Sequence, residues 1–224
     1  MKKSLFILTL IILNSNSLFA QHDTSFVKAT FDGDINKYFG SKLDFPRNLA
    51  SQNIQGKTVI SFQIDKKGEL NSIIIENFPH IELAKEAVNI LSSTKGKWSP
   101  TLINNKPTDF VYKIIINYHS QISHSSSWRD ESIILKDRSL RKIKKGQYEK
   151  ALDLINDAIE VKPYQWENYK IRAEIYSALN NTIEAEQDVN RAIKYEQEIM
   201  LNLDIVSYAV IRTVSRTSRS MRRM

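Results

Sequence analysis

The apolar residues of this chain change their period near residue 120, and that change constrains the fold more than any other feature. Upstream they recur in twos. Between Thr58 and Ile64, Ile60, Phe62 and Ile64 share one face while Val59, Ser61 and Gln63 share the other, which predicts a half-buried strand. Asp65-Lys66-Lys67-Gly68 follows as a turn whose glycine tolerates positive φ, and a second strand runs through Leu70, Ile73, Ile74 and Ile75. Leu83, Ala84, Ala87, Val88 and Leu91 then recur at helical spacing, giving one buried stripe. Phe110, Tyr112, Ile114, Ile116 and Tyr118 return to strict alternation. The predicted order is strand, strand, helix, strand. Ser120 to Ser127 is serine-rich with little to bury and reads as a linker. Beyond it the pattern is helical and repeats: Ala185, Val189, Ala192 and Ile193 stand 34 residues after Ala151, Ile155, Ala158 and Ile159. A period of that length predicts stacked helical hairpins.

Two families are resembled at these places. Residues 29–118 resemble the TonB C-terminal domain in the form common in Bacteroidetes-type envelope proteins. The likeness runs through Phe31-Asp32-Gly33-Asp34, Phe45-Pro46, Ile54-Gln55-Gly56-Lys57-Thr58-Val59, Phe62 to Gly68, Glu82 to Ala87, Lys97-Trp98-Ser99-Pro100 and Asn104-Asn105-Lys106-Pro107. The second half resembles tetratricopeptide repeats. Gly146 to Ala151, Ile155, Ala158 and Pro163 match the end of one unit, and Tyr169, Ala173 and Tyr176 match the first helix of the next. The first unit departs from the pattern, because Lys142 replaces the usual aromatic residue and Arg138 an apolar one; packing of residues 132–147 as a repeat helix is therefore weakly supported. The expected fold class is α+β: a small β-β-α-β TonB C-terminal-like domain at 21–119, a linker at 120–129, and an all-α tetratricopeptide segment at 130–198. Two repeats leave an apolar face uncovered. Ile199, Leu203, Val206, Val210 and Val214 recur at helical spacing, so residues 199–224 are expected to form a capping helix followed by a basic tail.

Residues 1–20 read as a cleavable signal peptide, with Lys2 and Lys3, an apolar run from Leu5 to Leu13, and Leu18-Phe19-Ala20 at the end. A retained anchor is the alternative, but so short a run falls well below the roughly 20 residues a membrane-spanning helix needs. The chain has no cysteine, which excludes disulfides, thiolate metal sites, a cysteine nucleophile and a lipid-modified cysteine after the leader. The expected location is the periplasm. Most of the formal net charge of +7 resides in the leader, at +2, and in the last 25 residues, at +4 from five arginines against the one acidic residue Asp204. Both folded parts are near neutral, which argues against a nucleic-acid-binding face.

Nothing in the sequence assembles a catalytic or cofactor site. His22, His80, His119 and His124 form no metal-binding pair, and they read as ordinary surface residues. Six glycines supply no phosphate-cradling loop, and the carboxylates alternate with lysines as on a solvated helix face. No enzyme, no cofactor and no metal are therefore expected.

Both resemblances imply binding of proteins or extended peptide segments. The TonB resemblance implies strand addition to an edge, with outer-membrane receptors as the partner class. In the family's order the last strand lies at that edge, with Val111, Lys113, Ile115 and Asn117 flanking an incoming segment; the alternative is that the linker folds over it. The tetratricopeptide resemblance implies a second surface around Glu167, Lys170, Glu174 and Ser177. A rival reading uses Arg212, Arg216, Arg219 and Arg223, spaced as one helix edge, to touch an anionic membrane or lipopolysaccharide. One expectation is directly checkable: mass spectrometry of protein recovered from the periplasm should find Gln21 at the N-terminus, whereas Met1 on membrane-bound material would exclude cleavage.

Overall fold

The computed structural model describes residues 25–121 and 130–208. The leader, His22, most of the serine-rich linker with His124, and the tail carrying Val210, Val214, Arg212, Arg216, Arg219 and Arg223 lie outside these residues. The predicted strand–strand–helix–strand unit is β2 (Gly56–Ile64), β3 (Leu70–Asn77), α3 (Ile81–Ser92) and β6 (Phe110–Gln121). β6 thus extends two residues into the stretch read as linker. β2 and β6 pair antiparallel in unbroken register, from Gly56 opposite Tyr118 to Ile64 opposite Phe110. Their even-numbered residues Ile60, Phe62, Ile64, Tyr112, Ile114, Ile116 and Tyr118 are buried in one cluster with Leu83, Ala87, Ile90 and Leu91 of α3. The alternation of the sequence has become the inner face of a sheet packed on one helix stripe.

Smaller elements, not predicted, close the ends of this unit. α1 (Ile35–Gly40) is capped by Asp34, whose side chain accepts from the Asn36 and Lys37 amides, and α2 (Arg47–Ser51) follows. β1 (Phe26–Val27), β4 (Thr101–Ile103) and β5 (Lys106–Thr108) form a second, three-stranded sheet in the order β1-β4-β5. Asn104 and Asn105, both at positive φ, turn β4 into β5. Tyr112 ties the two sheets: its hydroxyl accepts from the Ala29 amide at 2.9 Å and lies 2.6 Å from Thr101 Oγ1.

The helical half consists of α4 (Glu131–Ile143), α5 (Tyr148–Val161), α6 (Trp166–Ala178) and α7 (Thr182–Glu198). The doubtful first helix, α4, does form. Small polar residues replace the missing apolar contacts: Ser132 and Ser139 are buried and donate to the Ala158 and Ala151 carbonyls of α5 at 3.0 and 2.8 Å. α6 and α7 are clamped by Arg172, which donates through Nε and Nη2 to both carboxylate oxygens of buried Asp188 at 2.6 and 2.9 Å.

Over the described residues 199–208 the expected capping helix is not a helix. Ile199–Tyr208 is a strand, β7, which leaves α7 and runs parallel beside β6. Its apolar residues fit both periods, since Leu203 and Val206 suit a helix stripe while Leu201, Leu203 and Ile205 alternate with Asn202 and Asp204. An open edge on β6 decides between them, because a ladder there satisfies backbone groups of both strands. The sheet order is β3-β2-β6-β7.

One glycine is required by space as well as by backbone. Gly68 has φ +83, and a Cβ there would lie 2.4 Å from the Trp98 carbonyl oxygen. Gly96 has φ +74 but open space around it. Gly68→Ala should therefore cost on the order of 2–4 kcal/mol and Gly96→Ala only about 1 kcal/mol, as read from denaturant midpoints. Equal costs would exclude the close approach of the β2–β3 turn to Trp98.

Candidate partner-binding edge

β6 has ladders on both sides. Its parallel register with β7 sets Ile114 opposite Leu201, Ile116 opposite Leu203, Tyr118 opposite Ile205 and His119 opposite Val206. On the inner face Leu201 is 2% exposed, and Leu203 and Ile205 pack on the same core. Nineteen of the twenty buried residues of that core come from residues 29–118 and one, Leu201, from β7. The strand is thus an addition to a core that is nearly complete without it.

The outer face of β6 and β7 buries Ile115 and carries a polar seam that meets the helical unit. Asn117 Nδ2 donates to Asn202 Oδ1 at 2.9 Å and to the Leu203 carbonyl at 3.3 Å. Asn202 Nδ2 in turn donates to Gln165 Oε1 at 3.3 Å, and Gln165 Nε2 to Glu167 Oε2 at 2.5 Å. A relay of amides therefore runs from the sheet to the start of α6. Beside it Asp204 holds two partners, His119 Nε2 at 2.9 Å and Lys162 Nζ at 2.6 Å. Lys162 also binds Asp130, the residue that caps α4. Lys28 reaches the same junction, donating to the Glu196 and Ile199 carbonyls at 3.0 and 2.5 Å.

Burial and pairing oppose each other here. Burial alone would raise Asp204, but its hydrogen bonds and charge contacts with His119 and Lys162 hold it below the ordinary carboxylate value. Burial alone would lower Lys162, yet Asp130 and Asp204 hold it above the ordinary lysine value. Lys57, on the same face of β2, is lowered first by burial and then by the charge of Lys162. A buried ion pair holds only when each charge keeps its partner.

The predicted edge residues have a different fate from the one expected. Val111 remains 51% exposed, but Lys113 is bound to Glu76 at 2.6 Å, Ile115 is 1% exposed, and Asn117 is buried in the amide relay. The edge is not free, and the strand that fills it is β7 rather than the linker. An Ile115→Pro substitution would now break an interior strand. On α6, Lys170, Glu174 and Ser177 are exposed, while Glu167 is half-buried and joined through Gln165 to the sheet. The two predicted surfaces are thus linked from Glu167 to Asn117 through Gln165 and Asn202. His119, read as an ordinary surface residue, is a partner of Asp204, and His80 caps α3 by accepting from the Glu82 amide at 3.3 Å. Asp130, Lys162 and Asp204 were not singled out, because nothing in their spacing brings them together.

A groove of about 680 Å³ runs along β7 from Asp204 to Ser207, walled by Gly40, Leu43, Asp44, Phe45 and Arg47. Among the described residues no group of three or more histidine, aspartate or glutamate side chains could hold a metal, and no helix is long and apolar enough to cross a membrane.

The ionic seam sets a pH window. Asp204 stabilises the fold fully above its unfolded value near 3.8 and loses that contribution as pH falls through its lower folded value. Lys162 stabilises fully below 10.5 and loses its share as pH rises through its higher folded value. Lys162→Met should cost about 3 kcal/mol, since it removes the cation that Asp130 and Asp204 share and leaves Asp204 with His119 alone. The loss should shrink as pH falls through the lowered folded value of Asp204, where the pairing with Lys162 is lost in the parent as well. Thermal unfolding of parent and variant across pH 3–8 measures this, and a loss independent of pH would exclude the seam as its cause.

Residues 41–120 match the family described as Gram-negative bacterial TonB protein C-terminal. Comparison with curated proteins gives no match. Among solved structures, the first TPR of Spaghetti (RPAP3) bound to an HSP90 peptide is similar to this chain at 28% identity and a TM-score of 0.29. The alignment covers 29% of this chain and 53% of that one, so this chain spans about half the length of that structure. The N-terminal unit, including β2, β3, α3 and β6, is a TonB C-terminal-like domain.

Proposed function

We propose that the protein is an exported envelope adaptor that binds extended segments of other proteins by strand addition, in the periplasm of a Bacteroidetes-type cell. Receptors of TonB-dependent outer-membrane transport are the partner class it suits best. The observation that carries this reading is the β6 edge, which pairs in parallel with nine residues of an extended chain, with alternate side chains entering the core and a polar seam. Main-chain bonds supply affinity in such an arrangement and alternate side chains supply selectivity. The match of residues 41–120 supports the same reading. The helical unit carries the polar seam that positions the strand, and its exposed α6 stripe offers a second contact surface.

The test is capture by the immobilised mature chain from outer-membrane and periplasmic extracts, with contact sites mapped by cross-linking. Receptor segments should cross-link to the four-stranded sheet. A doubly charge-reversed Lys170→Glu, Glu174→Lys variant should retain capture within about twofold, because its changes lie away from the sheet. Cross-links confined to α6, with capture abolished in that variant, would move binding to the helical surface.

A further inference from the structure

We propose that β7 is a built-in occupant of the β6 edge, and that it yields to a partner segment of its own chemistry: an extended stretch with apolar residues at alternate positions and a carboxylate between them. The inference rests on the strand-addition reading above and adds who occupies the site and what an incoming chain must carry.

Three observations lead to it. The core is nearly complete without β7: the family match ends at Ser120, and β7 gives the core cluster one of its twenty buried residues, with Leu203 and Ile205 packed against it. The side-chain hold on β7 is built from contacts another chain can reproduce. Leu201, Leu203 and Ile205 lie on the core, while Asn202 and Asp204 meet Asn117, His119 and Lys162. Finally, the groove of about 680 Å³ between β7 and the α1–α2 segment leaves its outer flank uncovered from Asp204 to Ser207. Charge selects the occupant. When β7 leaves, Asp204 leaves with it, and Lys57 and Lys162 remain on that face against Asp130. A slot with that balance accepts a carboxylate and rejects a lysine.

The tether makes β7 a strong competitor. An attached strand acts at an effective concentration on the order of millimolar, and a partner's apparent affinity falls in proportion to the fraction of molecules with the edge open. The device therefore excludes weak or mismatched segments and admits well-matched ones.

A labelled peptide of residues 199–208 is the probe, tested on full-length protein. Asp204→Lys, which sets a cation against Lys162, should loosen β7 and raise probe affinity at least tenfold over the parent. A probe carrying lysine in place of its aspartate should bind that variant at least tenfold more weakly. Because the chain lacks cysteine, His119→Cys with Val206→Cys, which face each other in the register, can lock β7 in place. The oxidised lock should bind no probe and recover binding on reduction. Hydrogen exchange gives a readout free of substitutions: β7 amides should open together, well before those of β2 and α3.

Equal probe binding by the oxidised and reduced lock would overturn the proposal. So would β7 exchange that coincides with global unfolding, or a dimer of Asp204→Lys in which strands are swapped between copies. If receptor segments cross-link to the sheet of the oxidised lock as well as to the parent, the occupant idea fails while the adaptor reading stands. If no extended segment binds the parent or the loosened variant, both fail.

Discussion

Nine residues of β6 are paired with β2 on one side, and nine are paired with β7 on the other. Between Lys113 and Tyr118, where the two ladders overlap, backbone donors and acceptors are satisfied on both sides, which no edge strand achieves. The remaining architecture follows from that double pairing. α3 covers the apolar face it creates, the helical unit covers much of the opposite face, and the chain must travel through four helices before it returns as β7. A parallel neighbour demands a long crossover, and here the crossover is the whole helical half.

The two faces of β6 are held by different physics. On the inner face the contact is apolar: Leu83, Ala87, Ile90 and Leu91 of α3 share one cluster with the sheet, which also holds aromatic pairs such as Phe62 with Tyr112 and Phe45 with Tyr118 at 6.0 and 5.3 Å between ring centres. Against the helices the contact is a seam of amides and charges around Lys162, Asp204, Asn117 and Asn202. An apolar contact is tolerant of partner identity, because it scales with buried area. A desolvated charge is not, because removing its partner leaves an uncompensated ion. The seam therefore sets which strand sits beside β6 and in which register, while the core supplies most of the adhesion.

That division suits a module built to receive an extended chain. In a TonB C-terminal-like domain with its last strand at an edge, unpaired backbone groups face outward and invite any strand. This chain closes that edge with its own residues 199–208 and surrounds it with groups that favour a carboxylate. The helical unit is part of the arrangement as well as a surface of its own, since Asp130 caps α4 and Gln165 precedes α6, and both reach the seam.

The strand–strand–helix–strand order, the inner face of β2 and β6, and the 34-residue helical repeat were legible in the sequence, because each depends on a local period that a single packing partner reads out. Gly68 was legible as a turn residue, although its approach to Trp98 was not. Residues 199–208 were not legible, since Leu203 and Val206 fit a helix and Leu201, Leu203 and Ile205 fit a strand equally well. Only the presence of an open β6 edge, delivered to the end of α7 by the tertiary fold, settles the choice. The same holds for the seam. Asp130, Lys162 and Asp204 lie 32 and 42 residues apart in the chain, and His119 carries no signal of its own. Their meeting is decided by the crossover geometry, which local periodicity does not encode.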